Sequence, residues 1–336
     1  MGRGKQLLSV PAGPVRVTCR TYLTRPTQLA VVVAAVIQHQ SPLAIGNVLG
    51  SSISNVLGAF SLGLLFRSGS AGPMGFDRSS KIYTALLLLL TTVVVALAFF
   101  GQLGRVAGGV FVGVFALYVV SVGVAIYKGV LDAPEGSDDE SSGGETSDVD
   151  TDEEESSAPH PQPSESSPLI AADHTPTPRR RQTPHGLTHH VSQLLLGFTA
   201  LSLSGYLLAH TASALAAALH LSGTVLGITV LSLATTLPEK FVAVLGGSRG
   251  HAGIVVANTV GSNIFLLTLC LGVVLLSGEL DDGRAGGVSG FELVVTWVAA
   301  AVLMVVVLVG PGRWAGGVML VLYGGFLGLE FTVFRR

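Results

Sequence analysis

Charge is what this sequence has least of. Only 12% of its 336 residues are Asp, Glu, Lys or Arg, about half the share of an ordinary soluble domain. About 14 of the 21 acids fall between Asp132 and Asp173, so the apolar remainder is almost free of acids, as lipid requires. Cysteine is nearly absent. Cys19 and Cys270 make neither a disulfide framework nor a metal-ligand spacing, and Cys270, in an apolar run, reads as packing. The net charge of −2 singles out no partner, and nucleic acid is not expected as one. Met1–Tyr22 is basic but holds Pro11 and Pro14 and no long apolar run, which excludes a good secretory signal peptide. Gly-rich phosphate loops, zinc spacings and a Ser-His-Asp cluster are all missing, so an enzyme is not expected and no cofactor is implied.

What is present is a series of long apolar runs. A bilayer-spanning helix needs about 20 mostly apolar residues. Nine candidates meet or approach that ruler: Gln28–Ile37, Leu43–Phe66, Ile82–Phe100, Ala107–Tyr127, Val191–Ala209, Leu221–Gly246, Gly253–Leu276, Leu293–Val309 and Gly316–Phe331. The first is too short unless the chain from Leu23 is helical as well. Nine runs exceed what a single soluble core needs, so the expectation is an all-α, multi-pass membrane protein in contact with lipid.

Asp132–His190 differs in kind. Rich in Ser, Pro, Asp and Glu, with Arg179, Arg180 and Arg181 near its end, it has too little apolar surface to fold alone and reads as a disordered linker. Four segments follow: a tail over 1–22, a first half over 23–131, the linker over 132–190 and a second half over 191–336. With the linker in the cytosol, Arg67–Lys81, Arg249, Arg313 and the basic tail share that side, as the positive-inside rule asks. An intracellular membrane, vacuole or ER, is the expected location. Oligomeric state leaves no mark on the sequence.

The most informative feature is an internal repeat. Gln28–Asn55 aligns without gaps on Glu239–Leu266. Asn47 meets Asn258, Gly50 meets Gly261, Ser51 meets Ser262 and Ile53 meets Ile264, a shared N-x-x-G-S-x-I. The copies lie on either side of the linker. If an odd number of spans separates them, they form the inverted repeat of many secondary transporters. Gly50, Gly261 and Pro238 are expected to break the helices there, freeing carbonyls for a cation. Glu239 is the sharpest residue, because a carboxylate in an apolar segment must be paired, protonated or cation-bound. An ion pair with Lys240 competes with that reading, although helix neighbours do not face each other. Hard cations take oxygen ligands. Ser51, Asn55, Ser262 and Asn263 follow the glycines, and Thr24, Thr235 and Thr236 precede Gln28 and Glu239. Singly, each hydroxyl reads as a bond within its own helix; as matched sets around Glu239 they read as a cation site, with Glu239, Ser51 and Ser262 as its metal ligands. His210 reads as a packed histidine in preference to a proton relay.

A-T-T-L-P-E (Ala234–Glu239) followed by A-N-T-V-G-S-N-I-F (Ala257–Phe265), together with G-N-V-L-G-S-S-I-S-N (Gly46–Asn55), resembles the two alpha repeats of the Ca²⁺/cation antiporter superfamily, the sodium/calcium exchanger membrane region. The resemblance implies ten helices in two inverted halves, with Thr24, Gln28, Ser51 and Asn55 facing Thr235, Thr236, Glu239 and Ser262 around the ions. It implies Ca²⁺ transport by alternating access, with Na⁺ or H⁺ as counter-ion. The chain departs from the pattern at Gln28, where an acid is usual, at Arg25, Thr27 and Ser52, and at Leu266, where many members carry Asp. The first helix of the fold is also missing. It implies a chain cut before Met1, one that works with nine spans, or one that does not work. A degenerate homologue serving as a cation-binding or scaffold protein is the alternative, followed by a channel or neutral-solute carrier.

Overall fold

The computed structural model describes residues 26–67, 75–127, 187–278 and 288–333, and every element among them is helical. Ten rods follow the chain: α1 Pro26–Ile37, α2 Ser41–Leu65, α3 Arg78–Phe99, α4 Arg105–Tyr127, α5 Leu187–Leu219, α6 Gly223–Thr235, α7 Leu237–Ser248, α8 Ala252–Ser277, α9 Gly290–Val309 and α10 Trp314–Thr332. A helix satisfies its own backbone groups, which is what permits such apolar runs to stand in hydrocarbon. Their ends are marked locally. Asp77 caps α3 by accepting from the Ser80 N–H at 3.1 Å, Ser222 and Ser289 cap α6 and α9, and Gly278 and Gly310 close α8 and α9 in left-handed backbone that glycine adopts without Cβ cost.

Six of these helices are long and apolar enough to cross a membrane, seven if the bent pair α6–α7 is one span. The apolar stretches Gln28–Ile37 and Arg105–Ser121 fall short of that length. Burial is inverted relative to a soluble protein. Leu117, Leu196, Phe198 and Val321 are exposed, while Gln28, Ser51, Asn55 and Thr236 are fully buried. Contiguous exposed apolar surface around a polar centre is the arrangement expected of a bundle facing lipid. α2 and α8 form the centre, with 89% and 83% of their apolar windows buried, against 11% for α5.

The repeat read from the sequence is a repeat of structure. Gln28 and Glu239 lie 211 residues apart. The same shift carries α1 onto α7 end for end, and α2 onto α8 to within a residue. Each of the two long rods has a widened π-helical turn at the matching place, Ser54–Phe60 in α2 and Leu266–Cys270 in α8. A third π turn, Gly227–Leu231, interrupts α6.

One expectation needs correcting. The helices do not break at Gly50 or Gly261: both residues lie inside regular α-helix, and the departures come afterwards, in the π turns. Gly50 instead provides clearance. A Cβ there would stand 2.3 Å from the Ile228 carbonyl oxygen, and one on Gly46 2.4 Å from that of Thr224, so α2 and α6 touch backbone to backbone as small-residue helix pairs do. The chain does bend beside Pro238, by 49° between Thr235 and Leu237, with Pro238 in the first turn of α7 where its missing N–H costs nothing. α5 starts at Leu187, and its polar first turn hid from a ruler based on apolar runs. The rest of the linker, 132–186, lies outside the described residues, as do Thr24 and Arg25.

The described residues within 1–134 and 195–336 form one compact unit, and 187–194 belong to a second. Within the first unit, Glu330 on α10 is fully buried and neither carboxyl oxygen has a hydrogen-bond partner. Such a group destabilises the fold. Glu330→Met is expected to raise stability by about 1–3 kcal/mol, read as a higher thermal midpoint in detergent.

Candidate cation site

The repeat helices α1, α2, α7 and α8, with the end of α6, bring their polar residues together. Glu239 stands in the first turn of α7 just past the bend, where the helix N-terminus favours a negative charge. It is buried, at 4% exposure. Its repeat mate meets it directly: Gln28 Nε2 donates to Glu239 Oε1 at 3.2 Å. The two positions that the repeat equates thus touch across the centre of the bundle.

A hydroxyl group of contacts lies alongside. The Thr235 hydroxyl donates to Asn47 Oδ1 at 3.1 Å, and Ser51 Oγ lies 3.3 Å from Thr235 Oγ1 and 3.4 Å from Asn47 Oδ1. Thr236 turns the other way, to Ser54 Oγ at 2.9 Å. Asn55, in the π turn of α2, is fully buried with both amide atoms unpartnered. The π geometry slackens the backbone ladder at this turn, and such turns recur at functional sites.

The second repeat contributes less directly. Asn258 Nδ2 donates to the Glu239 carbonyl at 3.2 Å and so ties α8 to α7. Ser262 donates to Asn258 O and Asn263 Nδ2 to Thr259 O, both back into their own helix. Ser262 is therefore not joined to Glu239 by a hydrogen bond, which is the local reading that polar helix residues invite. Asn263 Oδ1 and Gln28 Oε1 are buried acceptors without donors. Buried acceptors are paired in the great majority of cases, so the unpaired Gln28 oxygen beside the Glu239 carboxylate suits a positively charged ligand. His210 is exposed on α5 and stacks on Tyr206, apart from these residues.

Sequence reading missed Asn47, Ser54, Lys240 and Tyr323 as members of the cluster. Lys240 Nζ donates to Ser54 Oγ at 2.8 Å and to Thr236 Oγ1 at 2.6 Å, and the Tyr323 hydroxyl on α10 donates to Ser54 Oγ at 2.9 Å. The signal for Lys240 was present, since Thr236 and Lys240 are one helical turn apart.

The family model for the sodium/calcium exchanger protein matches residues 7–124 and 189–332. The chain belongs to this family. A relative from Alkalimonas amylolytica, named "Putative antiporter CaxA", is 26% identical over 311 residues, covering 91% of this chain and 83% of that one. Solved structures of the sodium-calcium exchanger NCX_Mj share the fold. One soaked with Na⁺ and Sr²⁺ superposes with a TM-score of 0.55 at 19% identity, over 94% of this chain and 87% of that one. Another, with Na⁺ and no Ca²⁺, gives 0.55 at 18% over 96% and 88%. The all-helical, multi-pass membrane architecture expected from the sequence is the fold of these exchangers. The relative from Alkalimonas amylolytica lends no support to a vacuolar or ER membrane.

In this family member the cluster holds one carboxylate among the described residues, Glu239, where Gln28 supplies an amide from the equivalent position. Divalent affinity rises with the number of charged ligands. Gln28→Glu is expected to tighten Ca²⁺ binding on the order of tenfold, measured as ⁴⁵Ca²⁺ retained by the purified protein.

Proposed function

We propose that this protein is a secondary antiporter that exchanges Ca²⁺ for Na⁺ or H⁺ by alternating access, with Glu239 as the central cation ligand. The observation that carries the reading is the Gln28–Glu239 contact, in which equivalent positions of the two repeats meet at a buried carboxylate. A charge inside a membrane bundle is retained where it serves an ion pathway, and a site at the interface of two repeats is accessible from either side when one repeat rocks against the other.

Gln28 Oε1, Asn55 Oδ1 and the Ser51, Thr235 and Asn47 oxygens complete a hard, neutral ligand set suited to Ca²⁺ or Na⁺. Ser262 and Asn263 enter this site only by turning from their own helix, and Thr24 would join it from the segment before α1. With one carboxylate, Ca²⁺ is incompletely neutralised, which favours fast release over tight retention. Radiolabelled Ca²⁺ uptake into proteoliposomes under an outward Na⁺ gradient, an outward H⁺ gradient or neither tests the reading. Uptake driven by one gradient identifies the counter-ion. Absence of uptake by folded protein under every gradient removes the proposal and favours a non-transporting homologue.

A further inference from the structure

We propose that the ε-ammonium of Lys240 is a built-in cation: it fills a cage in which the hydroxyl oxygens of Ser54 and Thr236 accept from it, with Tyr323 orienting Ser54, and which, without it, takes a monovalent metal ion. The inference deepens the proposed antiport, because it assigns one cation position of the site to the protein itself.

The hydrogen-bond inventory of the cage fixes its polarity. A lysine ammonium carries donors only. Thr236 donates its single proton to the Ser232 carbonyl at 2.6 Å, so its lone pairs are left for Lys240 at 2.6 Å and Ser54 at 2.9 Å. Ser54 therefore donates to Thr236, and its own lone pairs accept from Lys240 at 2.8 Å and from Tyr323 at 2.9 Å. The Thr236 proton goes to Ser232, the Ser54 proton to Thr236 and the Tyr323 proton to Ser54, so none faces the ammonium, and the Ser54 and Thr236 oxygens present lone pairs to it. That is the arrangement a metal cation requires of hydroxyl ligands.

The cage is also built in shape. Ser54 and Thr236 are fully buried and Tyr323 is 5% exposed. Gly58 lies under it: Lys240 Cε and Tyr323 Cε1 each stand 3.4 Å from where a Cβ would be, so the lysine stem and the tyrosine ring both pack over this glycine. The cage also belongs to one half only. Under the repeat shift Lys240 corresponds to Leu29 and Thr236 to Arg25, so the first repeat has no equivalent lysine. Glu239 is the neighbouring residue on α7. With Lys240 in place, a monovalent ion at this position is excluded sterically and by like charge.

The test is thermal unfolding of the purified full-length chain in sodium chloride, potassium chloride or choline chloride at equal ionic strength. Lys240→Met removes the charge and keeps the stem. It is expected to gain a sodium- or potassium-dependent rise in midpoint on the order of 5 °C over choline, beyond any response of the wild type. Adding Ser54→Ala to Lys240→Met is expected to abolish that gain. An alkali-cation response identical in wild type and Lys240→Met overturns the proposal. If Lys240→Met yields no folded protein in choline, Lys240→Ala prepared in parallel in sodium, potassium and choline decides: recovery of monodisperse protein with an alkali cation alone supports the built-in cation, and equal loss in all three overturns it. The readout is folding, so it is separate from Ca²⁺ uptake. A wild type that fails to exchange Ca²⁺ removes the antiport reading and leaves this result standing.

Discussion

Glu239→Gln is expected to abolish gradient-driven Ca²⁺ uptake while leaving a folded protein. The substitution keeps the volume of the side chain and removes its charge. The wild-type carboxylate lies at the N-terminal turn of α7, accepts from Gln28 and is almost wholly out of contact with solvent. A cation brought into such a place loses its hydration shell and regains it only through charged and polar oxygens. Removing one partner of a buried charge interaction costs about 3–5 kcal/mol, which corresponds to at least a hundredfold loss of affinity. Uptake falls correspondingly at sub-saturating Ca²⁺. Folding is spared because an amide at this position can still meet Gln28 Nε2 through its own oxygen. Size-exclusion behaviour and thermal midpoint equal to the wild type, together with lost uptake, is the expected result. Retained uptake removes Glu239 from the pathway.

Gly50→Ala is expected to damage the protein as a whole, by a different route. The added Cβ would stand 2.3 Å from the Ile228 oxygen, 2.5 Å from its Cα and 2.7 Å from its carbonyl carbon. All three are backbone atoms, so no side-chain rotation relieves the clash, and α2 and α6 must move apart. Overpacking of this kind costs about 1–3 kcal/mol, occasionally more, or a fall in thermal midpoint on the order of 5–10 °C. The same displacement carries Ser51 and Asn47 away from Thr235, whose contacts lie one residue and three residues along α2 from Gly50. Cation binding is therefore expected to weaken along with stability. Gly324→Ala, where a Cβ meets nothing within 4 Å, is the silent control. An unchanged midpoint for Gly50→Ala would show that the two backbones are not in contact.

Much of this architecture was legible in the residues. Segregated charge and apolar runs of membrane length gave an all-helical membrane protein, and the ungapped N-x-x-G-S-x-I repeat located the two helix pairs whose bounds coincide under the same shift. The spacing that equates Gln28 with Glu239 also paired two side chains that touch in the structure. The glycines were misread for a physical reason. Without a Cβ, Gly50 permits either a flexible backbone or a close approach, and periodicity within one segment cannot say which; the neighbour α6 decides it. Tyr323 was invisible because its partner Ser54 lies 269 residues away in the chain and nothing in an apolar helix marks one tyrosine as facing inward. Ser262 and Asn263 show the converse, since residues matched by the repeat spend their hydrogen bonds within α8.

The central claim, obligatory exchange at one buried site, is tested most directly by isotope exchange. Proteoliposomes loaded with ⁴⁵Ca²⁺ are diluted into medium holding choline alone, unlabelled Ca²⁺, or Na⁺ or protons as counter-ion. The account predicts that label stays inside in choline and leaves when Ca²⁺ or the counter-ion is supplied outside, and that Glu239→Gln retains its label throughout. Release into choline at the same rate would make the protein a channel or leak, and no release in any medium from folded protein would contradict exchange altogether.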